Sequence, residues 1–108
     1  MKSFDDREKA YEKKFVQDAE LEFKASARRN KLLGRWAAEK MGLTGDEVEK
    51  YAKSVVVADL EEPGDEDVFR KIRGDFDEAE IDQSDHQIRR TMEELMEKAI
   101  VQIENERD

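Results

Sequence analysis

The stretch GLTGDEVEKYAKSVVVADLEEPGDEDVFRKI, residues 42–72, decides the fold class, because it contains a helix, a break and the start of another helix. Thr44 and Glu47 have the spacing of a capping box, in which a hydroxyl and a carboxylate bond the free amides of a helix N-terminus. Apolar residues then recur at helical intervals through Val55, which outweighs the β propensity of three consecutive valines. Pro63-Gly64 ends the pattern, and the acidic residues after it favour a second helix N-terminus.

The same periodicity continues on both sides, so the chain is predicted to be all-α. Gly42 is expected to cap the preceding helix, and Gly34 within that helix is expected to permit close approach of another helix. Ser84 and Gln87 predict a second capping box. The prediction is a four-helix bundle, because the short joints imply antiparallel neighbours. Its helices are expected at about residues 18–41, 45–60, 65–77 and 84–104, after an N-terminal arm that is flexible or partly helical.

Each predicted helix carries an apolar stripe that is expected to form the core, and Gly74 is expected to weaken the third helix. The stripes consist of Ala19, Phe23, Ala27, Leu33, Ala37 and Met41, widened by Leu32 and Trp36, in the first helix; of Val48, Tyr51, Ala52, Val55, Val56 and Leu60 in the second; of Val68, Phe69, Ile72 and Phe76 in the third; and of Ile88, Met92, Leu95, Met96, Ala99 and Ile103 in the fourth.

Composition limits the class of protein. The chain has 108 residues and no cysteine, which excludes disulfides and thiolate zinc sites and fits a reducing cytoplasm. We expect neither a secretory signal nor a membrane-spanning segment, since the N-terminal stretch has no apolar run of seven residues and no stretch reaches about 20 apolar residues. The net charge is −9, with eleven basic against eight acidic residues over 1–41 and nine against twenty-one over 42–108. This acidity argues against nucleic acid as a partner.

The arm, residues 1–17, is almost entirely charged and carries three isolated aromatic residues. Phe4, Tyr11 and Phe15 are seven and four residues apart, which places them on one stripe of a helix. A charged helix with a few large anchors is typical of a segment that inserts into a groove of another protein. The alternative is a frayed terminal helix with incidental aromatic residues. Residues 18–108 are expected to form the bundle domain.

No residue pattern supports catalysis, so the chain is expected not to be an enzyme and to bind no cofactor or metal. His86 is the single histidine and lacks the convergent partners that a general base or metal ligand needs, so we expect it to be exposed or to cap a helix. There is no phosphate-binding loop. Trp36 is expected to be a core anchor. A basic collar of Arg28, Arg29, Lys31 and Arg35 is either a solvated face or a dock for an acidic partner.

Three segments resemble the zeta subunit family of alphaproteobacterial F1Fo-ATPases, and the resemblance covers nearly the whole chain. The segments are FDDREKAYEKKF (4–15), FKASARRNKLLGRWAAEKMG (23–42) and DEDVFRKIRGDF (65–76), with ARRNKLLGRWAAE (27–39) and PGDEDV (63–68) as the most specific parts. The resemblance implies a small inhibitor of ATP hydrolysis. In that family the N-terminal helix enters the catalytic interface of F1, between the alpha and beta subunits and against gamma, while the bundle stays outside.

The resemblance thus implies the alpha, beta and gamma subunits as partners, at the cytoplasmic F1 sector. The chain is expected to be a monomer when free. The predicted partner-binding residues are the anchors Phe4, Tyr11 and Phe15, the register-setting charges Arg7, Glu8, Lys9 and Glu12, and Arg28 and Arg29 of the collar. Two alternatives remain at this point. One is a helical adaptor that is not a strong inhibitor. The other is a sensor that weakly binds an adenine nucleotide beside Trp36.

Overall fold

The structure is a computed structural model that describes residues 19–61 and 64–106. Over these residues it contains four helices and no strand, which confirms the all-α four-helix bundle. The helices are α1 (Ala19–Lys40), α2 (Asp46–Glu61), α3 (Asp65–Glu78) and α4 (Asp85–Glu106). Each begins and ends within two residues of its predicted bounds. The predicted arm lies outside the described residues.

The core lies where side chains of all four helices meet. The third helix contributes its complete predicted stripe, since Val68, Phe69, Ile72 and Phe76 are all buried. Half-buried Trp36 packs against this cluster, with its ring centroid 5.6 Å from that of Phe76, and is a core anchor as predicted. The other buried members of the central cluster are Leu33 and Ala37 of α1, Val55 of α2, and Ile88 and Met92 of α4.

The close approach predicted at Gly34 is present between α1 and α2. A Cβ atom on Gly34 would lie only 2.5 Å from the Cα of Ala52, a distance that real Cβ contacts do not reach. Glycine is therefore required here by the neighbouring backbone rather than by its own dihedral angles. This contact brings the backbones of α1 and α2 together and sets their register.

The first helix ends as predicted, at a glycine in the left-handed region. Gly42 has φ of 80°, its amide donates to the Glu39 carbonyl at 3.1 Å, and the Leu43 amide donates to the Ala38 carbonyl at 2.9 Å. These two bonds form a Schellman motif, which satisfies carbonyls that the helix leaves free. The joint between α1 and α2 is consequently short, and the two helices lie side by side.

Of the two predicted capping boxes, one is present and one is not. The Ser84 amide donates to Gln87 Oε1 at 3.0 Å, and the Gln87 amide donates to Ser84 Oγ at 3.1 Å. At the start of α2, Gly45 has φ of 59°, and the Glu47 amide donates to the Thr44 backbone carbonyl instead. Within the described part of the chain, no bond joins the Thr44 hydroxyl to Glu47, so the box predicted there is wrong.

We expect the two sites to respond differently to the same loss of a hydroxyl. Replacing Ser84 by alanine removes the acceptor for the Gln87 amide and should lower the free energy of unfolding by about 1 kcal/mol. Thr44→Ala is the matched control and should change it by less than about 0.5 kcal/mol. Denaturant unfolding followed by circular dichroism measures both. Equal costs would contradict the assignment of the box to Ser84 alone.

Two predicted core residues lie on the surface. Phe23 is 59% exposed and Leu60 is 57% exposed, while the unpredicted residues Leu21 and Ala25 are buried. Phe23 is exposed because α2 ends too early to cover it. The last residue of α2, Glu61, lies only two residues, or roughly 3 Å along the helix axis, beyond Asp59.

The register of α1 against α2 explains the outcome. Asn30 donates to Asp59 at 2.9 Å, so these two residues lie opposite each other. Phe23 lies on the same side of α1 as Asn30 but seven residues earlier, about 10 Å beyond it, where α2 no longer covers it. Leu21 is seven residues before Arg28 and therefore shares the side of α1 that faces α4, which continues to Glu106.

The third helix continues past Gly74 to Glu78, one residue beyond its predicted end. Gly74 is exposed, and its missing side chain costs on the order of 1 kcal/mol of helix propensity. Ile72 and Phe76 on either side are completely buried. Burying two such side chains contributes roughly 1.5–3 kcal/mol each, which exceeds the cost of the glycine and keeps the helix intact.

Candidate partner-binding surface

Of the nine predicted partner-binding residues, the structure describes two. Phe4, Arg7, Glu8, Lys9, Tyr11, Glu12 and Phe15 all lie outside the described residues. Arg28 and Arg29 lie in the first half of α1, the helix that directly follows the predicted arm in the chain. The surface around this half of α1 is consequently the part of the bundle nearest in sequence to the arm.

Arg28 joins α1 to the C-terminal end of α4. Its guanidinium donates to Gln102 Oε1 at 2.7 Å and to both carboxylate oxygens of Glu106 at 2.9 Å. The bond to Arg28 lowers the pKa of the Glu106 carboxyl, and the same bond raises the pKa of Arg28. The Arg28 side chain is 28% exposed, so it remains accessible at the edge of this contact.

Arg29 is buried, with 3% exposure, and joins α1 to the joint between α2 and α3. Its Nε donates to Asn30 Oδ1 at 2.7 Å, and its Nη2 donates to Asp65 Oδ1 at 2.9 Å. Asn30 in turn donates to Asp59, whose other oxygen accepts the Gly64 amide at 3.2 Å. A buried guanidinium is stable only when its donors have such partners. This network fixes the start of α3 against α1.

The third arginine of the predicted collar, Arg35, forms a bidentate pair with Glu49 of α2, at 3.0 and 3.1 Å. Its hydrogen bonds lower the pKa of the Glu49 carboxyl. Each of the three arginines therefore contacts a different neighbour of α1, and Lys31 is exposed. The uneven charge of the two halves of the chain thus serves, in part, to join basic α1 to acidic partners within the bundle.

An open groove of about 550 Å³ lies beside the first half of α1, at the end of α2. We name it the Phe23–Leu60 groove, after the two exposed apolar side chains that line it. Its charged lining consists of Glu22, Arg29, Asp59 and Asp65, three carboxylates against one guanidinium. Sequence reasoning assigned Phe23 and Leu60 to the core, because their helical spacing does not show where α2 ends.

The other candidate groups are structural or exposed. His86 is exposed in the first turn of α4, and residues 19–61 and 64–106 contain no group of side chains with the arrangement of a metal site. The arginines beside Trp36, which motivated the nucleotide alternative, are engaged in ion pairs within the bundle. Among the described helices, none has the length and apolar content needed to cross a bilayer.

These features define a small all-α bundle protein whose candidate site is an exposed surface. Residues 1–102 match the family model described as ATPase inhibitor subunit zeta, and the chain belongs to that family. The chain is similar to a protein whose solution NMR structure has been solved, with 48% sequence identity and a TM-score of 0.70. The match covers 80% of this chain and 98% of the chain in that structure. No curated protein matches the chain. Membership of this family indicates that the chain is a regulatory protein with an inhibitory role on an F-type ATPase.

Proposed function

We propose that the protein inhibits ATP hydrolysis by F1Fo-ATPase by inserting its N-terminal arm into the catalytic interface between the alpha, beta and gamma subunits. The observation that carries the proposal is the family match over residues 1–102, which includes the arm as well as the bundle. An enzyme that must rotate and open its catalytic interfaces is blocked by a helix wedged into one of them. The bundle, residues 18–108, remains outside the interface.

Within this proposal the arm carries most of the binding free energy. Phe4, Tyr11 and Phe15 share one helical stripe and are the anchors, since a few large buried side chains dominate most interfaces. Arg7, Glu8, Lys9 and Glu12 set the register of the arm through charge pairs with the enzyme. This assignment is supported by the spacing of the residues and by the family resemblance.

The two arginines of α1 have different roles in the proposal. Arg28 is accessible, so its guanidinium can exchange the exposed Glu106 for a carboxylate on the ATPase. Arg29 acts indirectly, because it is buried and holds Asp65 against α1. The site of action is the F1 sector on the cytoplasmic side of the membrane, and the free protein is a monomer. The net charge of −9 argues against nucleic acid as a partner.

The experiment that tests the function is ATP hydrolysis by purified alphaproteobacterial F1, titrated with the full-length chain. We expect hydrolysis to fall along a saturable curve and the chain to remain bound to F1 during gel filtration. An unrelated four-helix protein of similar net charge is the control, because it reports any nonspecific effect of an acidic protein. Binding without inhibition would make the chain an adaptor, and absence of both would refute the proposed function.

A further inference from the structure

The Phe23–Leu60 groove combines two large exposed apolar side chains in one open depression. Both residues extend from helices whose positions are fixed. Asn30 holds Asp59, one residue before Leu60, and Arg29 holds Asp65, which also lines the groove. The groove is therefore preorganised, and a ligand that binds there loses little free energy to ordering the protein.

The charges around the groove indicate the chemistry of its occupant. Arg29 is committed to Asp65, and the Asp59 carboxylate accepts bonds from Asn30 and from the Gly64 amide. The net charge of the lining is nevertheless negative, and Glu22 is exposed at its edge. An apolar side chain flanked by basic residues complements such a surface, whereas a segment with an acidic rim would be repelled.

The position of the groove along the chain indicates which protein supplies that side chain. Phe15, a proposed anchor, is eight residues before Phe23. Eight residues span at most about 28 Å when fully extended and about 12 Å when helical. Any subunit that holds Phe15 is therefore within reach of the groove, so a contact there continues the interface proposed for the arm.

We infer that the Phe23–Leu60 groove is a second docking site for the ATPase, which receives an apolar side chain flanked by basic residues on the subunit that holds the arm. This inference rests on the proposed function. It adds a contact made by the bundle, outside the catalytic interface, that limits how far the arm can enter and slows its release.

The test compares variants of the full-length chain in the F1 hydrolysis assay. Phe23→Gln and Leu60→Gln remove the apolar contact while retaining good helix formers at exposed positions. Each should raise the half-inhibiting concentration about tenfold, as expected for a residue at the centre of an interface. Val101→Gln is the matched control, because Val101 is also 57% exposed but lies on α4 and does not line the groove. It should leave the concentration unchanged.

A charge variant tests the chemistry of the occupant. Glu22→Lys should weaken inhibition if the partner surface is basic, and stronger inhibition would overturn that assignment. If the wild-type chain inhibits and the Phe23→Gln, Leu60→Gln double variant inhibits equally well, the groove is not a docking site, although the proposed function remains intact. The inference would also be overturned if the double variant inhibited more strongly than the wild-type chain. It would likewise be overturned if the free wild-type chain formed a dimer that the double variant did not form. Failure of the wild-type chain refutes the proposed function itself.

Discussion

A chain that begins at Asp18 will lose inhibition of F1 while its bundle unfolds as cooperatively as that of the full-length protein. The half-inhibiting concentration should rise by at least about a hundredfold, which corresponds to about 2.8 kcal/mol, because a single buried aromatic anchor costs about 2 kcal/mol or more in a typical interface and the truncation removes several. The fold should survive because the central cluster is built entirely from residues between Leu33 and Met92. Hydrolysis assays and thermal melts followed by circular dichroism measure the two effects separately.

A second variant distinguishes the anchors from the mere presence of the arm. Replacing Phe4, Tyr11 and Phe15 by alanine keeps the length and charge of the arm and should weaken inhibition nearly as much as truncation. Reversing the charge of Lys13, which is not among the proposed anchors, should have a smaller effect. Full inhibition by the truncated chain would place the inhibitory element on the bundle, and the insertion mechanism would then be abandoned.

The features that sequence predicted best are those determined within a single helix. In α3, Val68, Ile72 and Phe76 follow a helical interval, and all three are completely buried. The capping box at Ser84 depends on residues three positions apart, so it too could be identified without knowledge of the other helices. Local periodicity and local hydrogen bonding thus account for the number, the order and the approximate bounds of the helices.

Features that depend on a neighbouring helix could not be predicted in this way. The spacing of Phe23 fits a core stripe as well as that of Leu33, and only the end of α2 at Glu61 leaves Phe23 exposed. The partners of the α1 arginines are equally remote, since Arg28 binds a residue 78 positions away and Arg29 one 36 positions away. Adjacency in the sequence therefore suggests a single basic collar, whereas the arginines contact three different helices.

The backbone conformation at the helix ends could also be predicted from the sequence only in part. The end of α1 could be predicted from Gly42, but α3 ends in the same motif with Glu80 in the left-handed region, at φ of 58°. There the Ile81 amide donates to the Phe76 carbonyl at 2.8 Å. A glutamate gives no indication of this conformation in the sequence, because residues with a Cβ rarely adopt it.

The second large effect is expected from one substitution made at two glycines. Replacing Gly34 by alanine should lower the free energy of unfolding by about 2 kcal/mol, since the new Cβ would lie 2.5 Å from the Ala52 Cα and overpacking costs more than the gain in helix propensity. The midpoint of thermal unfolding should fall by about 8–16 °C in a domain of this size. Gly74→Ala is the matched control, because its added Cβ would meet no atom of another helix within 4 Å. It should stabilise the protein by about 0.5–1 kcal/mol.

Comparing Gly34→Ala with Gly74→Ala also tests the register of α1 against α2, which leaves the Phe23–Leu60 groove open. The atom that Gly34→Ala would meet belongs to the backbone, so α1 and α2 can accommodate the methyl group only by moving apart or sliding. Either movement would strain the bond from Asn30 to Asp59, which places the end of α2 opposite Asn30, seven residues after Phe23 on α1. We therefore expect Gly34→Ala, and not Gly74→Ala, to weaken inhibition as well as stability. A Gly34→Ala protein as stable as wild type would contradict the close approach of the two backbones, and the register that exposes Phe23 would lose its physical basis.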